Sequence, residues 1–179
     1  KWSKAGAAEN DLVFVPGHPG RTDRLSTVAE LEYLRDTGFP FLLQRLNRLE
    51  VLLGAFSERS DENKRQAREF YFGVQNSRKA RDGGLAGLLD PDLLERKRAE
   101  EKKLKRKAEE DDKLKDARTA WQRIADAQKV RAKNIRRYTM LEGGAGFNSE
   151  LFGIARTLVR AGDELAKPNS ERMRQFTDS

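Results

Sequence analysis

At 179 residues the chain can form one helical domain with a real core, or one domain and part of another, and whole-chain disorder is not expected. It holds no cysteine, which excludes disulfides, thiolate metal sites and a cysteine nucleophile but leaves the redox compartment open. The net charge of +7 invites a nucleic-acid reading, yet the excess is local: residues 119–142 carry six basic and two acidic groups, with the cations running from Arg123 to Arg137. Residues 91–118, which look more basic, carry eleven and nine. Acid and base stand four apart there, as in Glu101 with Lys105 and Glu109 with Lys113, which is the pattern of a solvated helix face rather than a phosphate-binding stripe. No apolar stretch is long enough to span a bilayer, and no signal peptide is visible.

In chain order, Asp11 to Pro16 reads as a strand, the GHPG turn at Gly17 to Gly20 follows, and everything after it reads as helix. One strand cannot satisfy its own backbone donors and acceptors, so its neighbours are expected outside these residues. With Lys1 in place of an initiator Met, the sequence is expected to be a piece of a larger protein. Ser26 or Thr27 should cap a short helix carrying Val28, Leu31 and Leu34, interrupted by Gly38 and Pro40. Phe39, Leu42, Leu46, Leu49, Leu53 and Phe56 alternate spacings of three and four and form a seam for packing on other helices. Ser60, with Asp61 and Glu62, starts the next helix, whose apolar positions are Ala67, Phe70, Tyr71 and Val74 and whose weak point is Gly83-Gly84.

Asp90-Pro91 starts another helix, since Pro is tolerated in the first turn. Lys102 to Lys107 is rich in bases and Glu109 to Asp112 is acidic, an order that favours a helix end followed by a helix start. A helical hairpin is therefore expected to turn there and project into solvent, because Ala99, Leu104 and Ala108 make too narrow an apolar stripe for deep burial; one long helix is the alternative. Leu114, Ala117, Trp121 and Ile124 resume a seam, Gly143 to Gly146 close the arm, and Asn148 or Ser149 opens a helix with Leu151, Ile154, Leu158 and Leu165 that Lys167-Pro168 ends. A short polar helix from Ser170 to Phe176 follows.

Catalytic chemistry is scarce. The single histidine, His18, lies in the Gly/Pro turn with no glycine-flanked serine motif to accompany it, and no H-E-x-x-H, calcium loop or Walker sequence occurs. Nothing in the sequence points to a metal or a cofactor. Arg21 and Arg24 fit loop anchors better than ligand-binding groups. Asn76, among the apolar positions of GVQNSRKA, reads either as a polar residue on a helix edge or as a directed hydrogen-bond acceptor for a substrate.

At GHPGRTDR, preceded by KWSKAGAAENDLVFV and followed by N-x-x-K at Asn76 to Lys79, the chain resembles serine peptidase family 46, the bacterial dipeptidyl-peptidases of the 7 and 11 type. The resemblance continues through AWQRIADAQ at Ala120 to Gln128 and DELAKPNSERMRQF at Asp163 to Phe176. It implies a mainly α fold: a multi-helix cap domain with a projecting hairpin, plus one N-terminal strand that belongs to an absent chymotrypsin-like β-barrel. Residues 1–25 would end the barrel portion and 26–179 would form part of the cap. No member of the catalytic triad would lie here, and Asn76 would match the family's asparagine that binds the substrate α-amino group. Ser77 and Arg78 follow it where the family pattern carries aromatics.

The implied partners are peptides with a free N-terminus and the remainder of the parent chain. Nucleic acid and membrane are disfavoured, a homodimer is left open, and the implied location is periplasmic or secreted. The competing reading is a non-catalytic helical interaction module whose hairpin and Arg123 to Arg137 surface bind a partner protein or nucleic acid.

Overall fold

The computed structural model describes residue 4, residues 6–14 and residues 24–178. The GHPG turn, His18, Arg21 and the end of the expected strand lie outside the described residues. Leu12, Val13 and Phe14 are exposed, and no described segment pairs with them as a strand.

Thr27 caps α1 (Val28–Tyr33) through a reciprocal box: its hydroxyl accepts from the Glu30 N–H, and the Glu30 carboxylate accepts from the Thr27 N–H at 2.8 Å. Gly38 and Pro40 do not interrupt the helix, contrary to the sequence expectation. The chain passes from α1 through a π-helical turn, Leu34–Gly38, directly into α2 (Phe39–Ser57). Pro40 has no N–H for the carbonyl four residues back and would crowd it in a regular helix. The wider turn relieves this, with the Phe39 N–H reaching the Leu34 carbonyl. Gly38 is buried at the turn, where a Cβ would stand 3.2 Å from the Tyr33 ring.

Ser60 caps α3 (Asp61–Leu88) by accepting from the Asn63 N–H at 3.1 Å. This helix, about 42 Å long at 1.5 Å per residue, runs through Gly83-Gly84 without a break. Gly84 is the place where Phe39 of α2 approaches, so the glycine pair serves packing rather than chain reversal. Antiparallel α2 and α3 form the best-packed part of the molecule, with Leu43 and Leu46 buried on one helix and Ala67, Val74 and Leu88 on the other. Phe70, expected on this seam, is more than half exposed because the buried row follows Ala67, Tyr71 and Val74 at spacings of four and three.

Asp90 caps α4 (Pro91–Glu110), with Pro91 in the first turn. Asp111 ends it, a 3-10 turn spans Asp112–Ala117, and α5 (Ala120–Leu141) returns. Arg118 fastens the reversal by donating to the carbonyls of Ala108 at 2.8 Å and Glu109 at 3.1 Å. The far end of this hairpin, Lys102–Lys107 and Asp112–Asp116, is exposed. Its flanks hold α1: the Glu101 carboxylate accepts from the Val28 N–H at 2.7 Å, Arg98 pairs with Glu32 at 2.8 Å, and α5 packs along α1. The Gly143-Gly144-Ala145-Gly146 segment then leads to Ser149, which caps α6 (Glu150–Leu165). Two 3-10 turns, Asn169–Glu171 and Arg174–Phe176, take the place of the expected tail helix.

Candidate functional site

The rotation of α3 about its own axis decides where Asn76 points. Glu50 of α2 fixes that rotation by accepting from Arg78 Nε at 2.5 Å and Gln75 Nε2 at 3.3 Å, while Arg78 also reaches Asp82 at 2.7 Å. The hydrogen bond to Glu50, before its charge, pushes the Arg78 guanidinium above its ordinary range. Ala67 and Val74 then face α2, and Asn76 lies roughly half a turn away.

On that outward side Phe72, Asn76, Lys79 and Gly83 follow one another at spacings of four, three and four, and all are exposed. Phe72 is 72 % exposed. A Cβ at Gly73, Gly83 or Gly87 would meet nothing within 4 Å, so this side of α3 is open beside those glycines. Asn76 makes no hydrogen bond among the described residues, leaving a carbonyl oxygen and an amide group for an incoming partner. The sequence singled out Asn76 but missed Phe72, whose only signal was its position four residues before Asn76 on the face opposite Val74.

The residues that follow Asn76 have structural duties here. Ser77 and Arg78 are half-buried, and Arg78 is the link to Glu50 just described. Arg24, read as a loop anchor, is exposed, and its carbonyl accepts from Lys97 Nζ at 3.2 Å. Among the described residues no group of three or more acidic or histidine side chains could hold a metal ion, and no helix is long and apolar enough to cross a membrane.

The described residues thus form a helical frame with Asn76 exposed on the outer side of α3. The family model Peptidase S46 matches residues 1–179, and the chain belongs to that peptidase family. Comparison with curated proteins and with solved structures returns no match.

Proposed function

We propose that this chain is the helical cap segment of a serine dipeptidyl-peptidase, covering the active-site cleft and admitting peptides by their free N-terminus. In this reading residues 1–25 end the β-barrel portion, residues 26–179 form the cap, and the protein acts in the periplasm or outside the cell. The observation that carries it is the Asn76 amide, exposed and unengaged among the described residues on the side of α3 that Glu50 turns away from the core.

The Asn76 carbonyl accepts a hydrogen bond from the substrate ammonium. A charge-assisted bond of this kind contributes on the order of 1.5 to 3 kcal/mol in a desolvated cleft, which is about 10- to 150-fold in kcat/KM. The decisive comparison uses the full-length protein and one peptide with its N-terminus free or acetylated. Dipeptide release from the free form alone is expected. Asn76→Ala should raise KM and lower kcat/KM by about tenfold or more, and Asn76→Asp, which keeps an acceptor oxygen, should recover most of the loss. Because Asn76 is exposed, neither change should disturb folding by more than about 0.5 kcal/mol. Equal cleavage of the acetylated peptide, or unaltered kinetics in Asn76→Ala, would remove the amine-binding role.

A further inference from the structure

Asn76 stands where the packing of α3 on α2 is polar. From Gln75 to Arg81 the half-buried residues of α3 are Gln75, Ser77, Arg78 and Arg81, and none is apolar. After Val74 the next buried side chain of α3 is Leu88, about 21 Å further along at 1.5 Å per residue. Among the described residues, the hydrogen bonds that cross from α3 to α2 both end on Glu50, which accepts from Gln75 and Arg78. Those two donors bracket Asn76 in the chain, one position before it and two after. Asp82 also touches Arg78, but from the same helix, so it does not tie α3 to α2.

The link is partly shielded from water: the Glu50 side chain is 21 % exposed and that of Arg78 35 %, so the pair is less screened than one on an open surface. Its leverage on Asn76 follows from helix geometry. A side-chain tip stands about 5 to 6 Å from the helix axis, so a turn of about 10° carries the Asn76 amide about 1 Å. A shift of that size weakens a directed hydrogen bond, whose donor and acceptor must meet within a few tenths of an ångström. Arg78 stands where the family pattern carries an aromatic residue, so the link is a feature of this chain and not of the pattern.

We infer that Glu50 is a positioning residue for substrate binding: through Gln75 and Arg78 it holds the Asn76 amide where it meets the substrate ammonium, without itself touching the substrate. The inference rests on the amine-binding reading of Asn76. Its test is the steady-state kinetics of the full-length protein on a peptide with a free N-terminus. Glu50→Ala should raise KM at least fivefold and change kcat less than twofold, since only the hold on the ammonium is loosened. Glu50→Gln, which keeps one acceptor oxygen for two donors, should give a smaller rise. Partial unfolding would instead lower kcat through the fraction of active enzyme and leave KM in place. Asp82→Asn, which removes only the intrahelical partner of Arg78, should move KM less than twofold. In an Asn76→Ala background Glu50→Ala should add nothing, as required of a residue that acts through that amide. An unchanged KM in Glu50→Ala, beside a raised KM in Asn76→Ala, would overturn the positioning role and leave the amine-binding reading standing. Equal effects of Glu50→Ala in both backgrounds, or a rise in Asp82→Asn as large as in Glu50→Ala, would overturn it as well. An unaltered KM in Asn76→Ala would remove the amine-binding reading and the positioning role with it.

Discussion

Neighbouring glycines in α3 occupy opposite environments. A Cβ at Gly84 would stand 3.0 Å from the Phe39 ring, whereas at Gly83 it would meet nothing within 4 Å. Gly83→Ala therefore gains only the helix preference of alanine over glycine and should raise stability by about 0.5 to 1 kcal/mol. Gly84→Leu must push Phe39 out of its seat, and should lower stability by about 1 to 3 kcal/mol through overpacking. Urea midpoints of the two variants test the pair; a rise for both would mean that Phe39 does not depend on the gap. The sequence offered two adjacent glycines and suggested a weak point. Only the position of Phe39, forty-five residues earlier, tells which of them is required.

At the scale of the element, one buried acid organises the end of α6. Glu164 is 3 % exposed; it accepts from Lys167 Nζ at 2.5 Å and from the Met173 N–H at 2.6 Å. The Lys167 bond first and the Met173 bond second hold its carboxyl below the usual carboxylate range. Arg172 completes the stitch by donating to the Lys167 carbonyl at 2.9 Å and the Leu165 carbonyl at 3.2 Å, where the helix carbonyls lack intrahelical partners. A depressed folded pKa places this contribution above the unfolded value and removes it as pH falls through the folded one. Protection of the Met173 amide from hydrogen exchange should accordingly be high near neutrality and fall on acidification below the ordinary carboxylate range. Glu164→Gln should be weakly protected throughout. Full protection of the natural protein in acid would show that the turn holds without the charge. The sequence marked the helix end at Lys167-Pro168, because that signal is local, but the second partner of Glu164, the Met173 N–H, lies beyond the proline and carries no pattern of its own.

Across the whole molecule, packing is uneven. The α2–α3 pair is joined by apolar contact, and α1 is held by both arms of the α4–α5 hairpin. By contrast α6 is joined to α5 through polar groups: Arg156 donates to the Leu141 carbonyl at 2.7 Å, and Glu142 pairs with Arg156 and Arg160. Its apolar residues Leu151, Ile154, Leu158 and Leu165 remain more than half exposed among the described residues. The Arg160 bond, ahead of the surrounding charge, depresses the Glu142 carboxyl, so this link too weakens in acid. Glu142→Gln should speed hydrogen exchange through Glu150–Leu165 while leaving α2 and α3 at their original rates. Uniform acceleration would mean that α6 is part of the same cooperative unit.

What the sequence determined by itself is set by groups within a few residues of one another. Ser60 and Asp90 start helices because each side chain accepts from an N–H two or three positions ahead, and Thr27 and Ser149 do the same where the sequence left Ser26 and Asn148 as alternatives. The family motifs, including Asn76, were legible for the same reason: they are short and contiguous. Tertiary structure decided the rest. It carried the helix through Gly38 and Pro40, set α1 between α4 and α5, and left Val130 and Tyr138 exposed on α5. It also turned α3 so that Val74 is covered and Asn76 is free, since a helix has one rotation only once a distant partner such as Glu50 has fixed it.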